Sequence, residues 1–245
     1  MVQLGPEDDR LKIWRYMDFI KFVDLLDKSA LFFTRADKLG DPFEGSHGKA
    51  YVAEMKSAFK EGKDSEQILK NLGSVYKKIV KFTFLNCWHM NEHESAAMWN
   101  LYAKSNEGIA IQSSIAALRS SIIETGYEIY VGKVEYLDYE SEVMTGGLEE
   151  GERYPFFHKR KSFEHERELR LMIQDFKSAK SPIIYASPPH RDGIHVSVDF
   201  GSLIERIYLA PSCPKWQLGL LKSVTRKYEL NKEVIQSGLN EKPVY

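Results

Sequence analysis

Between Phe163 and Ile173 the apolar and polar positions separate with a period of two. Leu169, Leu171 and Ile173 fall on one side and Glu166, Glu168 and Arg170 on the other. A strand here sets two carboxylates and a guanidinium in a row, about 6 to 7 Å from one to the next. Such a row either lines a polar cleft or faces water. Two wet alternatives stand beside the cleft: a helix carrying Glu166 and Arg170 as an exposed i,i+4 pair, and an edge strand whose charges discourage aggregation.

Elsewhere the pattern predicts a short strand at Lys12–Tyr16, then a helix capped by Asp18 with Phe19, Phe22, Val23 and Leu26 at helical spacing. Leu31–Thr34 is a strand that ends in a Gly-, Pro- and Asp-marked turn, residues 37–45. Residues 48–80 are charged and helix-favouring, with Leu69, Leu72, Val75 and Ile79 on one stripe, and form a helical insertion. Strands are expected at Phe82–Trp88, Gly108–Gln112, Tyr127–Tyr136, Ile194–Val198 and Arg206–Ala210. Helices are expected at Ser95–Lys104, after Ser113 or Ser114, and from about Pro214 to Lys227. The acidic, glycine-containing stretch Glu140–Glu152 is expected to be a mobile loop. Strands and helices alternate without a regular βαβ rhythm. The expectation is one α+β domain over residues 1–245, with a central mixed or antiparallel sheet flanked by helices, plus the 48–80 insertion.

Composition narrows the classes. With 34 basic against 35 acidic residues, affinity from blanket phosphate neutralisation is disfavoured. Cys87 and Cys213 are too few for a disulfide scaffold, no apolar run is long enough for a membrane span, and the opening residues do not form a signal peptide. A cytoplasmic protein without a membrane partner is expected.

Several motifs fail on inspection. Gly40 and Gly45 have the spacing of a phosphate loop, but Ser46 and His47 follow where a lysine and a hydroxyl residue are needed. Cys87, His89 and His93 offer zinc donors at irregular spacing without a fourth ligand, so no metal residue is assigned. Asp41-Pro42-Phe43-Glu44 carries more. Pro42 fixes φ and biases Asp41 toward an extended conformation, which presents both acidic groups at defined angles; the plainer alternative is a helix-capping turn with Phe43 as a plug. On the 95–104 helix, Met98 and Trp99 suit a core, and Tyr102 is the ring best suited to a site edge. Lys159, Arg160 and Lys161, just upstream of the acidic row, favour its functional reading.

These segments together resemble a bacterial family labelled domain of unknown function 2971. The resemblance is carried by Trp14-Arg15-Tyr16, Leu31-Phe32-Phe33-Thr34, Asp41-Pro42-Phe43-Glu44, Met98-Trp99 with Tyr102 and Gly108, and Glu166-x-Glu168-x-Arg170, in order over residues 12–210. The chain departs from the family pattern at Gly40, where asparagine is usual, near His89, where a serine is usual, and at Leu169, where tryptophan is usual. The resemblance supplies no activity, but it implies that distant segments share a site.

The order of residue types is also remotely similar to ADP-ribosyltransferases, which use a basic residue on an early strand, a hydroxyl or aromatic residue midway and a late glutamate. Arg15, then Thr34 or Tyr102, then Glu168 follow that order. This likeness implies that Glu168 stabilises the oxocarbenium character that develops as the nicotinamide glycosidic bond of NAD breaks. Arg15 then holds pyrophosphate or ribose, Glu166 orients a protein or nucleic-acid acceptor, and Arg170 holds the carboxylates by bidentate pairing. Asp41, Glu44, Thr34 and Tyr102 complete the expected substrate-binding set, with NAD or another nucleotide as the small-molecule partner. Two alternatives stay open. One is a metal-dependent nuclease with Asp41, Glu44, Glu166 and Glu168 around magnesium; the other is a non-catalytic nucleotide-sensing or interaction module.

Overall fold

The structure, a computed structural model, describes residues 2–3, 8–58, 63–102, 107–143, 155–179, 181–182 and 185–245. In chain order the elements are β1 (Val2–Gln3), β2 (Lys12–Asp18), α1 (Phe19–Lys28), β3 (Ala30–Arg35), α2 (Lys49–Ala58), α3 (Lys63–Ile79), β4 (Thr83–Met90) and α4 (Ala96–Tyr102). Then follow β5 (Gly108–Ser114), α5 (Ile115–Ser121), β6 (Tyr130–Lys133), β7 (Glu135–Leu137), β8 (His158–Arg160) and β9 (Glu168–Gln174). The chain closes with β10 (Gly193–Ser197), α6 (Phe200–Leu203), β11 (Arg206–Leu209), α7 (Lys215–Lys227) and β12 (Glu233–Gln236). The fold is α+β with mixed, mostly antiparallel pairing, as the interspersed pattern predicts. No described helix is long and apolar enough to cross a membrane.

Chain contacts define two compact units. The first comprises Phe33–Asn86 and Tyr127–Ile194 together with β1. Here β6 runs antiparallel to β9, with Gly132 opposite Arg170 and Val131 opposite Leu171, and β1 runs parallel to β6. Thr34 pairs with Leu85 and Arg35 with Phe84 in antiparallel register. A separate parallel pair, β7 and β8, sets Glu135 beside His158 and Leu137 beside Arg160. Phe82, Phe84, Leu169, Leu171 and Ile173 are fully buried, so β9 has its apolar face packed in this unit's core.

The second unit comprises Pro6–Phe32, Cys87–Gly126 and His195–Tyr245. Its sheet centres on β2 and β5, antiparallel over seven residue pairs from Lys12–Ser114 to Asp18–Gly108. β5 also pairs antiparallel with β11, and β11 pairs parallel with β12. Asp18 caps α1 by accepting from the Lys21 N–H at 2.8 Å, and Ser114 caps α5. Ile13, Phe22, Ile109, Ile111 and Ile207 form a core with no measurable exposure.

Three expectations change. Residues 161–166 form a 3-10 helix, Arg167 is left-handed at φ 41°, and the strand begins only at Glu168. Glu166 is therefore not on the strand. The Tyr127–Tyr136 alternation divides into β6 and β7, with Val134 between them. β8, three residues rich in charge, and β12, four residues long, were not legible as strands. Of the expected mobile loop, residues 144–152 lie outside the described residues, as do residues 59–62 of the insertion and 103–104 of the expected Ser95–Lys104 helix.

Candidate active site

In the first unit the acidic row does not face water. Glu166 is 6%, Glu168 5% and Arg170 1% exposed, which removes both wet alternatives. β9 is buried on both faces, one apolar and one ionic. A buried charge must be paired and hydrogen-bonded, and each of these is.

Arg170 is the hub. Its Nε donates to Glu168 Oε2 at 2.6 Å, and its Nη1 and Nη2 grip the two oxygens of Glu44 at 2.6 and 3.0 Å. Nη1 also donates to the Phe156 carbonyl at 2.6 Å. Lys159, on β8, donates to Glu166 and, at 3.3 Å, to Glu168 Oε1. The left-handed turn at Arg167 explains how Glu166 arrives there. It breaks the strand's period and lets the end of the 3-10 helix turn its carboxylate onto the same ammonium as Glu168. The Glu168 N–H donates to the Tyr136 hydroxyl at 2.8 Å, tying β7 to the start of β9.

Glu44 comes from the Asp41–Gly45 turn. The Phe43 N–H donates to Asp41 Oδ1 and the Glu44 N–H to the Asp41 carbonyl, both at 3.0 Å. Gly45 has φ 67°, and a Cβ there would collide with the Phe156 ring, so glycine is required twice over. Phe43 is 43% exposed and is not a plug. The Arg160 guanidinium lies over it at 4.3 Å, with Phe163 at 5.2 Å, and donates to Asp41 at 2.9 Å. A rim of arginine and two phenyl rings thus adjoins the ionic cluster.

Charge counting explains the proton affinities. Glu44, Glu166 and Glu168 face two cations, Lys159 and Arg170, so one proton brings the cluster to neutrality. Burial, reinforced by neighbouring Glu168, pushes Glu166 up to about 7. Burial works against Glu168 too, but Arg170 and Lys159 outweigh it and hold this carboxyl down at about 2. For Lys159, burial is outweighed by the two glutamates and its affinity for the proton is raised. Burial raises Glu44 despite its fork to Arg170. The direction of the split between Glu166 and Glu168 follows from geometry: Glu168 is ion-paired to both Lys159 and Arg170, and Glu166 shares the Lys159 ammonium with it.

The remaining expected residues are carried by other elements. Thr34 is half-buried in β3 and makes none of the cluster's contacts. Arg15 and Tyr102 belong to the second unit. Arg15 is half-buried on β2. Its Nη2 donates to the Phe32 carbonyl at 3.4 Å, its guanidinium lies 5.9 Å from the Trp88 ring, and no described carboxylate pairs with it. Burial lowers its pKa to about 10. Tyr102, at the end of α4, is 46% exposed, while Met98 and Trp99 are buried.

No family model matches the chain, and no curated protein matches it. The resemblance to domain of unknown function 2971 thus has no support from a family-model match. Among solved structures the chain is similar to DarT from Thermus sp. 2.9 in complex with ADP-ribosylated ssDNA. The similarity spans 97% of this chain and 98% of that one at 10% identity, with a TM-score of 0.41. A likeness at that level decides nothing, so the chemistry rests on the side chains.

Two members of the cluster had no assigned role from sequence. Lys159 stood out only as part of a basic run, and its placement depends on the non-local pairing of β7 with β8. Tyr136 had no signal at all. Asp41 and Glu44, considered for magnesium, are engaged by Arg160 and Arg170. Among the described residues no three His, Cys, Asp or Glu side chains are grouped to hold a metal ion.

Proposed function

We propose that the protein is an ADP-ribosyltransferase-like enzyme that acts on NAD or another nucleotide, with Glu168 as the ionised carboxylate at the reacting ribose. The reading is supported by one observation above all: Glu166 and Glu168 share the Lys159 ammonium while their proton affinities are driven apart. Two carboxyl groups so divided take different tasks in glycosidic chemistry. Glu168, permanently charged, stabilises the positive character that develops at the anomeric carbon as nicotinamide departs. Glu166, near its midpoint at neutral pH, exchanges a proton with the attacking acceptor and orients it. Arg170 and Glu44 are positioning residues, since their mutual fork fixes the Glu168 carboxylate from behind.

The rim of exposed Phe43 and half-buried Arg160, with Phe163 beside them, suits a stacked base and favours a nucleotide or nucleic-acid ligand. Arg15 has, on its own evidence, the character of an anion-holding residue: a half-buried guanidinium with no carboxylate partner among the described residues. The second reading, a non-catalytic nucleotide-sensing module, draws on the engagement of both Glu168 oxygens by Lys159 and Arg170.

Titration of NAD with two readouts, melting temperature and nicotinamide release, separates the readings. An enzyme shows both, and Glu168→Gln abolishes release while keeping the shift. A shift without release in the wild type supports the sensing module. A folded protein with neither response contradicts both.

A further inference from the structure

The second unit carries a surface that the chemistry of β9 does not use. α7 exposes Lys215, Lys222, Arg226 and Lys227 and contains no acidic residue, and none of these four cations has an ion-pair partner among the described residues. The same helix leaves Trp216 67% and Leu220 44% exposed. A large indole standing in water one turn from an exposed leucine is the composition of a contact surface.

Helical geometry sorts these side chains into three strips. At about 100° per residue, Trp216, Leu220 and Lys227 stand in one line along the helix. Leu221 falls to one side of that line, and Lys215, Lys222 and Arg226 fall to the other. On the Leu221 side lies a cavity of about 110 Å³. Its walls are Phe19 at the start of α1, Leu209 at the end of β11, and Trp216, Leu220 and Leu221 of α7, with Glu107 as the one acidic member of the lining. All of these residues belong to the second unit. The space is well below the roughly 300 Å³ at which small-molecule pockets begin, and it holds one apolar side chain.

We propose that this face of α7 docks a short acidic segment of a partner protein. One leucine-sized side chain of the segment sits in the cavity, its chain lies over Trp216 and Leu220, and its carboxylates meet Lys215, Lys222 and Arg226. Charge decides the sign of the partner: four exposed cations against Glu107 favour an anionic one and speed its approach. Shape decides its class. Nucleic acid binds through phosphates and stacked bases and offers no aliphatic group to the walls of Leu209 and Leu221. A bilayer surface reaches the exposed Trp216 and Leu220 but not a cavity floor whose leucines are almost free of solvent contact. A peptide meets all three strips at once, with Trp216 in the role of a central anchor.

The surface is independent of the Glu166 and Glu168 chemistry, and its test involves no NAD. Selection of a displayed library of random short peptides on the full-length chain should enrich sequences that join several Asp or Glu to one Leu, Met or Phe. The best of them, titrated by fluorescence anisotropy, should bind at least about tenfold more weakly to Trp216→Ser, and to the double reversal Lys215→Glu with Lys222→Glu. Added salt should weaken binding to the wild type. The three substituted residues are exposed, so the variants should keep the wild-type melting temperature; if Trp216→Ser does not, the double reversal decides alone. A single-stranded oligonucleotide and phosphatidylserine vesicles are titrated alongside. Enrichment of no acidic sequence, a peptide that binds the folded variants as tightly as the wild type, or an oligonucleotide or vesicle that binds through α7 where no peptide does, overturns the proposal.

Discussion

Arg170 and Glu44 meet in a two-point fork in the interior of the first unit, joining a turn after β3 to the ionic face of β9. Both residues are nearly free of solvent contact, with side chains 1% and 3% exposed. Removing one partner of such a pair strands a buried charge at a cost of about 3–5 kcal/mol. Arg170→Met should therefore destabilise the fold by that order in urea unfolding. The double variant Arg170→Met with Glu44→Leu should recover a large part of the loss, and a double variant as unstable as the single one would show that the fork is not the cause.

Glu166 gives stability a pH dependence of unusual sign for a carboxylate. Its folded pKa, about 7, lies above the ordinary 4.5, so the folded state binds its proton more tightly than the unfolded chain does. The contribution is full below pH 4.5 and is lost as pH rises through 7. Glu168 acts in the opposite direction: its carboxyl is held at about 2, so its contribution is full above 4.5 and is lost as pH falls toward 2. Wild-type stability should thus decline between pH 5 and 8 by on the order of 2 kcal/mol from Glu166. Glu166→Gln, neutral at every pH, should flatten that slope. A slope identical in the variant would assign the decline to another group.

Gly45→Ala is expected to cost about 2 kcal/mol or more, because the residue combines a left-handed φ of 67° with a Cβ that has no room beside Phe156. Gly40 is the control. It is left-handed at φ 87° but open around its Cβ position, so Gly40→Ala should cost less. Thermal unfolding of the two variants, compared directly, checks the order.

Arg15 should behave as a residue kept at the expense of stability. Arg15→Met removes a half-buried cation that has no described carboxylate partner and should leave the fold as stable as before or about 1 kcal/mol more so. Pyrophosphate should protect the wild type against heating, and the same variant should lose that protection. A strongly destabilised Arg15→Met would mark the residue as structural.

Much of this architecture was legible, and the failures have local physical causes. The period of β9 was right from Glu168 onward because a strand buried on both faces still alternates, here between apolar and ionic sides. It failed at Glu166 because Arg167, an ordinary side chain, adopts the left-handed region that sequence rules reserve for Gly or Asn. That error concealed a deeper agreement. Glu166 still joins Glu168, through Lys159 and not through strand register. Whether the row was wet or buried depended on Glu44 reaching Arg170 from a distant turn, which no local window contains. The helical stripe of the 48–80 insertion and the Asp18 and Ser114 caps were readable because their signals lie within one or two turns.

The division of proton affinity between Glu166 and Glu168 is the central claim, and carbon-13 NMR titration of the glutamate side-chain carboxyls, assigned with Glu166→Gln and Glu168→Gln, tests it most directly. One carboxyl should titrate near neutral pH and disappear in Glu166→Gln, while a second, absent in Glu168→Gln, stays ionised down to about pH 2. Two ordinary titrations, both close to the 4.5 of a free glutamate, would contradict the account.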